Sequence, residues 1–164
     1  DTLSLHDALP IFSAGVLTVL ALAAVVGPGY ASASTGSGAS ADAGKAEVPY
    51  EAYTPARLAE LRAQGRVVFV NYTAAWCVSC QVNDKVAIST KSVAEAMKTG
   101  DVAYLKADWT RKDAAIAAEL ARYGRAGVPL YLVYGKGGAD GVILPSILTP
   151  GIVVKALKAA AQAS

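Results

Sequence analysis

The chain is poor in the residues that build metal and cofactor sites: 164 residues hold one His, two Cys and one Met. A tetrahedral zinc site needs four ligands, yet His6 stands far along the chain from Cys77 and Cys80, ahead of an apolar segment. No metal ion and no bound cofactor is therefore expected. Charge is also scarce, with 17% charged residues and a formal net charge of +2. The Lys and Arg residues are scattered, which excludes the basic stripe of a nucleic-acid-binding surface. No internal repeat is evident, and the length is a prior for one folded domain.

Lys and Arg are absent from the first thirty positions, and from Ala8 to Gly27 twenty consecutive residues carry no charge. That length matches a helix crossing a bilayer core, so residues 12–28 are expected to form a transmembrane helix. A secretory signal peptide is the alternative, since Ala31-Ser32-Ala33 offers small residues suited to cleavage. Either reading carries the remaining chain across a membrane. The opening DTLSLHDALPI is similar to translated adapter sequence and starts with Asp1, so residues 1–11 are read as an artefact or a truncated start. Residues 29–48, rich in Ala, Ser and Gly, read as a flexible linker. Residues 49–164 are the expected folded domain.

Within that domain, Thr54-Pro55 opens a helix bearing Leu58 and Leu61 and ending at Gly65. Val67 to Tyr72 is a continuous β-branched and aromatic run, the pattern of a strand covered on both faces. A helix is expected from about Cys77 through Val82 and Val86, and a short one from Ser92 to Lys98. A second strand spans Val102 to Ala107, and Thr110 caps a helix carrying Ile116, Leu120 and Tyr123. Leu130–Tyr134 and Val142–Leu144 read as an antiparallel hairpin around a glycine-rich turn, and Thr149-Pro150 caps the last helix. The order implies an α/β fold, a mixed sheet flanked by helices on both faces.

Two cysteines separated by two residues are half a metal site, a structural bridge or a redox pair. A bridge across so short a loop constrains the unfolded chain very little, which leaves exchange chemistry as the favoured reading. At the strand-to-helix junction Cys77 meets free N–H groups and the positive end of the helix dipole, and both favour a thiolate. Free cysteine has a pKa of about 8.5, and in Cys-x-x-Cys motifs it falls to roughly 3.5–7.5. Cys77 is thus the expected nucleophile, and Cys80, one turn on and deeper, the resolving thiol. Pro129 precedes a strand, and a cis Val128-Pro129 bond is expected to bring the Val128 backbone beside the cysteines, ready to pair with a peptide. Asp84, one turn past Cys80, is either a proton acceptor for that thiol or a solvated helix-face acid. Trp76 is expected to pack beside the helix and shield the sulfurs. Tyr72, Tyr104, Tyr131 and Tyr134 are expected in the core.

Four blocks in order, VNYTAAWCVSCQVND, YLKADWT, YGRAGVPLYLVY and ILPSILTPGIV, carry a resemblance to the thioredoxin superfamily over about residues 50–162. More closely, the chain resembles the C-terminal periplasmic domain of the DsbD family of thiol:disulfide interchange proteins. The resemblance implies a thioredoxin-like fold and a protein-disulfide reductase. It implies as partners a transmembrane electron-conducting domain, an N-terminal periplasmic domain and disulfide-bearing periplasmic proteins. It places the chain in a bacterial inner membrane with the folded domain in the periplasm, and makes residues 12–28 the last helix of the electron-conducting domain. Cys77, Cys80 and Pro129 carry over directly, and Asp84 matches an acid of the family. Two departures stand out. Val78-Ser79 replaces the usual Gly-Pro of thioredoxins, and Asn71 replaces a buried Asp six residues before Cys77, which shifts weight onto Asp84 or water. A tethered reductant for cytochrome c maturation would share these features; upstream membrane spans with their own cysteine pair would favour the relay. A redox-inert interaction module would tolerate loss of both cysteines.

Overall fold

A computed structural model describes residues 44–138 and 140–163. Residues 1–11, the expected membrane segment 12–28 and the linker up to residue 43 lie outside the described residues. The chain runs through β1 (Glu51–Ala52), α1 (Pro55–Ala63), β2 (Val68–Thr73), α2 (Val78–Asn83) and a π-helical turn (Asp84–Ile88). It continues through α3 (Lys91–Thr99), β3 (Ala103–Asp108), α4 (Ala114–Arg122), β4 (Leu130–Tyr134), β5 (Val142–Ile143) and α5 (Pro150–Gln162).

The five strands form one mixed sheet in the order β1-β3-β2-β4-β5. β3 pairs parallel with both β1 and β2, while β4 pairs antiparallel with β2 and β5. Alternation along the strands splits the core in two. Val67, Phe69, Tyr104, Tyr131 and Val133 pack with Ala87 and Ile88 of the π-helical turn, Val93 and Met97 of α3, and Val153 and Leu157 of α5. The opposite face, with Val68, Val70, Tyr72, Leu105, Leu130 and Leu132, packs against Leu58 and Leu61 of α1 and Ile116 and Leu120 of α4. Each such large side chain contributes about 1.5–3 kcal/mol on burial, so the two layers of helix hold the sheet from both sides.

The helix starts follow the expected chemistry in α1 and α5. Thr54 Oγ1 accepts from Arg57 N and Thr149 Oγ1 from Ile152 N, and in each helix Pro occupies the first turn, where its missing N–H loses nothing. Three expectations need correction. Thr110 is not the cap of α4: Asp113 is, its carboxylate accepting from Ala115 N and Ile116 N. The helix expected from Cys77 through Val86 stops being α-helical at Asn83 and widens into the π-helical turn. The folded unit also begins before Pro49, because Val48 is buried in the core and Lys45 bridges Thr90. The strand β1 was not foreseen, being two exposed residues long.

Candidate active site

β2 delivers the chain from the middle of the sheet to the cysteines. It ends at Thr73, Ala74 is buried, and Cys77 N donates to Ala74 O at 3.0 Å, closing a tight turn into α2. Cys77 is the N-cap of α2, its sulfur accepting from Cys80 N at 3.2 Å. Cys77 and Cys80 form a disulfide, with Cα atoms 5.3 Å apart. Cys77 is 6% exposed and Cys80 2%. Cys77 is thus the more open residue of a pair that lies just under the surface, for its neighbours Trp76 and Val78 are 51% and 76% exposed. Ser79 Oγ stands 3.5 Å from Cys77 Sγ.

The Val128–Pro129 bond is cis, the expected geometry, and Val128 packs against the cluster of Ala74, Cys77 and Cys80. The structure therefore brings together the cysteine pair and the residue before the proline. Trp76 immediately precedes Cys77, the cap of α2. Its ring is half exposed, leans on Trp109 with centroids 6.0 Å apart, and donates from Nε1 to Thr110 O at 3.2 Å. Thr110 also ties down the approach to the cysteines, Ala75 N donating to its Oγ1 at 2.8 Å. The Thr110 hydroxyl and amide both donate to Asp108, which holds that carboxyl below its ordinary pKa. Threonine 110 is thus a turn residue of the site, not a helix cap.

Asp84 is partly buried in an ion pair with Lys106, Nζ to Oδ2 3.2 Å, and Lys106 is the register partner of Asn71 across β2 and β3. It is neither a freely solvated acid nor fully enclosed. Asn71 is 2% exposed and donates from Nδ2 to Tyr104 Oη at 2.9 Å; its Oδ1 has no hydrogen-bond partner among the described residues. Burial pushes the Tyr104 and Tyr131 hydroxyls up, so both stay protonated. Among the described residues no cluster of His, Cys, Asp and Glu fits a metal ion.

One residue of the site escaped the sequence reading. Asn83, at the end of α2, is 1% exposed and makes three hydrogen bonds, to Tyr131 Oη (2.9 Å), Ser146 O (2.7 Å) and Leu148 N (3.0 Å). Its position four and five residues before the buried Ala87 and Ile88 is the signal that places it on the inner face.

The chain is similar to known proteins. The Thiol:disulfide interchange protein DsbD of Pseudomonas sp. (strain JR1 / K1) is 40% identical over 83 residues, 51% of this chain and 14% of that protein. DsbD 2 of Pseudomonas aeruginosa is 33% identical over 113 residues, 68% of this chain and 19% of that protein. The chain thus spans less than a fifth of these relatives. The crystal structure of the oxidised C-terminal domain of DsbD from Neisseria meningitidis superposes with a TM-score of 0.55 at 20% identity, over 68% of this chain and 99% of that one, a likeness of fold. The family described as Thioredoxin-like matches residues 50–136, more than half of the sequence, and the chain belongs to that family.

Proposed function

We infer that the chain is a thiol-disulfide oxidoreductase that works as a protein-disulfide reductase through Cys77 and Cys80. The observation that carries this reading is the Cys77–Cys80 disulfide at the cap of α2, beside Val128 and the cis Pro129. In the reduced state the Cys77 thiolate attacks one sulfur of a partner disulfide and expels the other as a thiolate. Cys80, deprotonated, then attacks Cys77 Sγ and releases the second partner sulfur. Two electrons pass to the partner, and the Cys77–Cys80 bond closes. Asp84, oriented by Lys106, is the proposed acceptor of the Cys80 proton, in the role for which Asn71 has no titrating group.

The wider assignment rests on the resemblance to DsbD. Residues 12–28 hold the domain to a bacterial inner membrane, the folded unit lies on the periplasmic side, and electrons arrive from a membrane-embedded domain and leave to a periplasmic thiol domain. No helix among the described residues is long and apolar enough to cross a membrane, and residues 12–28 lie outside them.

The test is a trapping experiment with the full chain. Cys80→Ala should accumulate a mixed disulfide between Cys77 and a partner, Cys77→Ser should accumulate none, and both should lose turnover. Turnover that survives Cys77→Ser sinks the reading, and cellular function that survives loss of both cysteines leaves a redox-inert interaction module. Equilibration with glutathione then fixes direction: a potential near about −270 mV makes the pair a reductant, one near −120 mV an oxidant.

A further inference from the structure

The three hydrogen bonds of Asn83 do more than bury an amide. An asparagine side chain carries two N–H donors and one carbonyl acceptor, and here both donors and the oxygen are used. Burying such an amide without partners costs about 1–3 kcal/mol, so the side chain is held to the one arrangement that satisfies it. That arrangement joins three parts of the molecule. Asn83 ends the helix that starts at Cys77; Tyr131 stands two residues after the cis Pro129; Ser146 and Leu148 belong to the loop between β5 and α5. Leu148 is buried, while Ile147 between the two anchored residues is 68% exposed. The Asn83 side chain therefore clamps the backbone on both sides of an outward apolar side chain. It ties that side chain to the helix of the disulfide, where Val78 and Val82 are also exposed, as is Trp76 in the turn before it.

We propose that Asn83 is a positioning residue for partner recognition: it fixes Ile147 and the cis-proline strand relative to Cys77, so that a polypeptide disulfide flanked by apolar side chains is gripped while Cys77 attacks. The proposal rests on the oxidoreductase reading and deepens it. Asn83 does not touch the reacting sulfurs; it sets how tightly a polypeptide is held, not how fast the bonds exchange once it is bound.

The experiment measures steady-state reduction of insulin disulfides by the full chain, with dithiothreitol as electron donor. Asn83→Ala should raise KM about tenfold, the equivalent of losing one to two net hydrogen bonds, while kcat stays within about twofold. Should Asn83→Ala fail to fold, Ile147→Ser at the exposed position carries the same test, with the same rise in KM expected. Tyr131→Phe, which removes one of the three bonds, should give a smaller rise. An unchanged KM in Ile147→Ser, or a fall in kcat without a rise in KM in Asn83→Ala, overturns the proposal. A wild-type chain that exchanges with the small disulfide 5,5′-dithiobis(2-nitrobenzoate) but not with insulin overturns it too. A wild-type chain that exchanges with neither overturns the oxidoreductase reading itself.

Discussion

Strand β2 is buried along its whole length, from Val68 to Thr73. In the stretch that follows, from Val78 to Ile88, the valines at 78, 82 and 86 are half or more exposed, while Asn83 is buried with Ala87 and Ile88. The strand obeys the rule that apolar side chains go inside, and the helix partly reverses it. Such a reversal lowers local consistency between pattern and fold, and proteins tolerate that where a surface has work to do. The strand supplies stability and aim. The helix supplies the sulfurs and an apolar face, and its one inward amide replaces the packing that its outward valines do not provide.

Three substitutions sharpen or break this contrast. Phe69→Ala, in the middle of β2 and fully buried, should cost about 3–5 kcal/mol, read from urea unfolding; a loss under 1 kcal/mol would mean that β2 is not the structural element. Asp84→Asn, on the π-helical turn, should leave the fold intact. It should slow release of 2-nitro-5-thiobenzoate from its mixed disulfide with Cys77 by about a hundredfold, the low end of general acid-base effects. An unchanged rate would make the Asp84–Lys106 pair purely structural. Val82→Ser, on the outer face of α2, should change stability by no more than about 0.5 kcal/mol; a loss as large as that of Phe69→Ala would erase the difference between the two segments.

The same contrast explains what the amino-acid sequence discloses. Strands β2, β3 and β4 and helices α1 and α5 are legible because β-branched and aromatic runs and Thr-Pro caps act locally, and each starts within one residue of its expected place. The Cys-x-x-Cys pair and the cis proline are legible because few residue types can do their chemistry. Asn83 is not, since an amide reads as solvent-facing until a partner strand and loop are present to bond it. Thr110 was mistaken for a cap because its real partner, Asp108, precedes it and makes a turn, while the cap of α4 stands three residues later at Asp113. The π-helical turn also lies beyond local propensity: it arises where the inward residues shift from Asn83 to Ala87 and Ile88.

Both outermost strands of the sheet, β1 and β5, are two residues long. A longer rim would offer rows of unpaired N–H and C=O groups on which another chain could grow as an extra strand. With so little rim to copy, many of these domains can crowd together without zipping into fibrils, and contacts between neighbours are left to side chains instead of backbone.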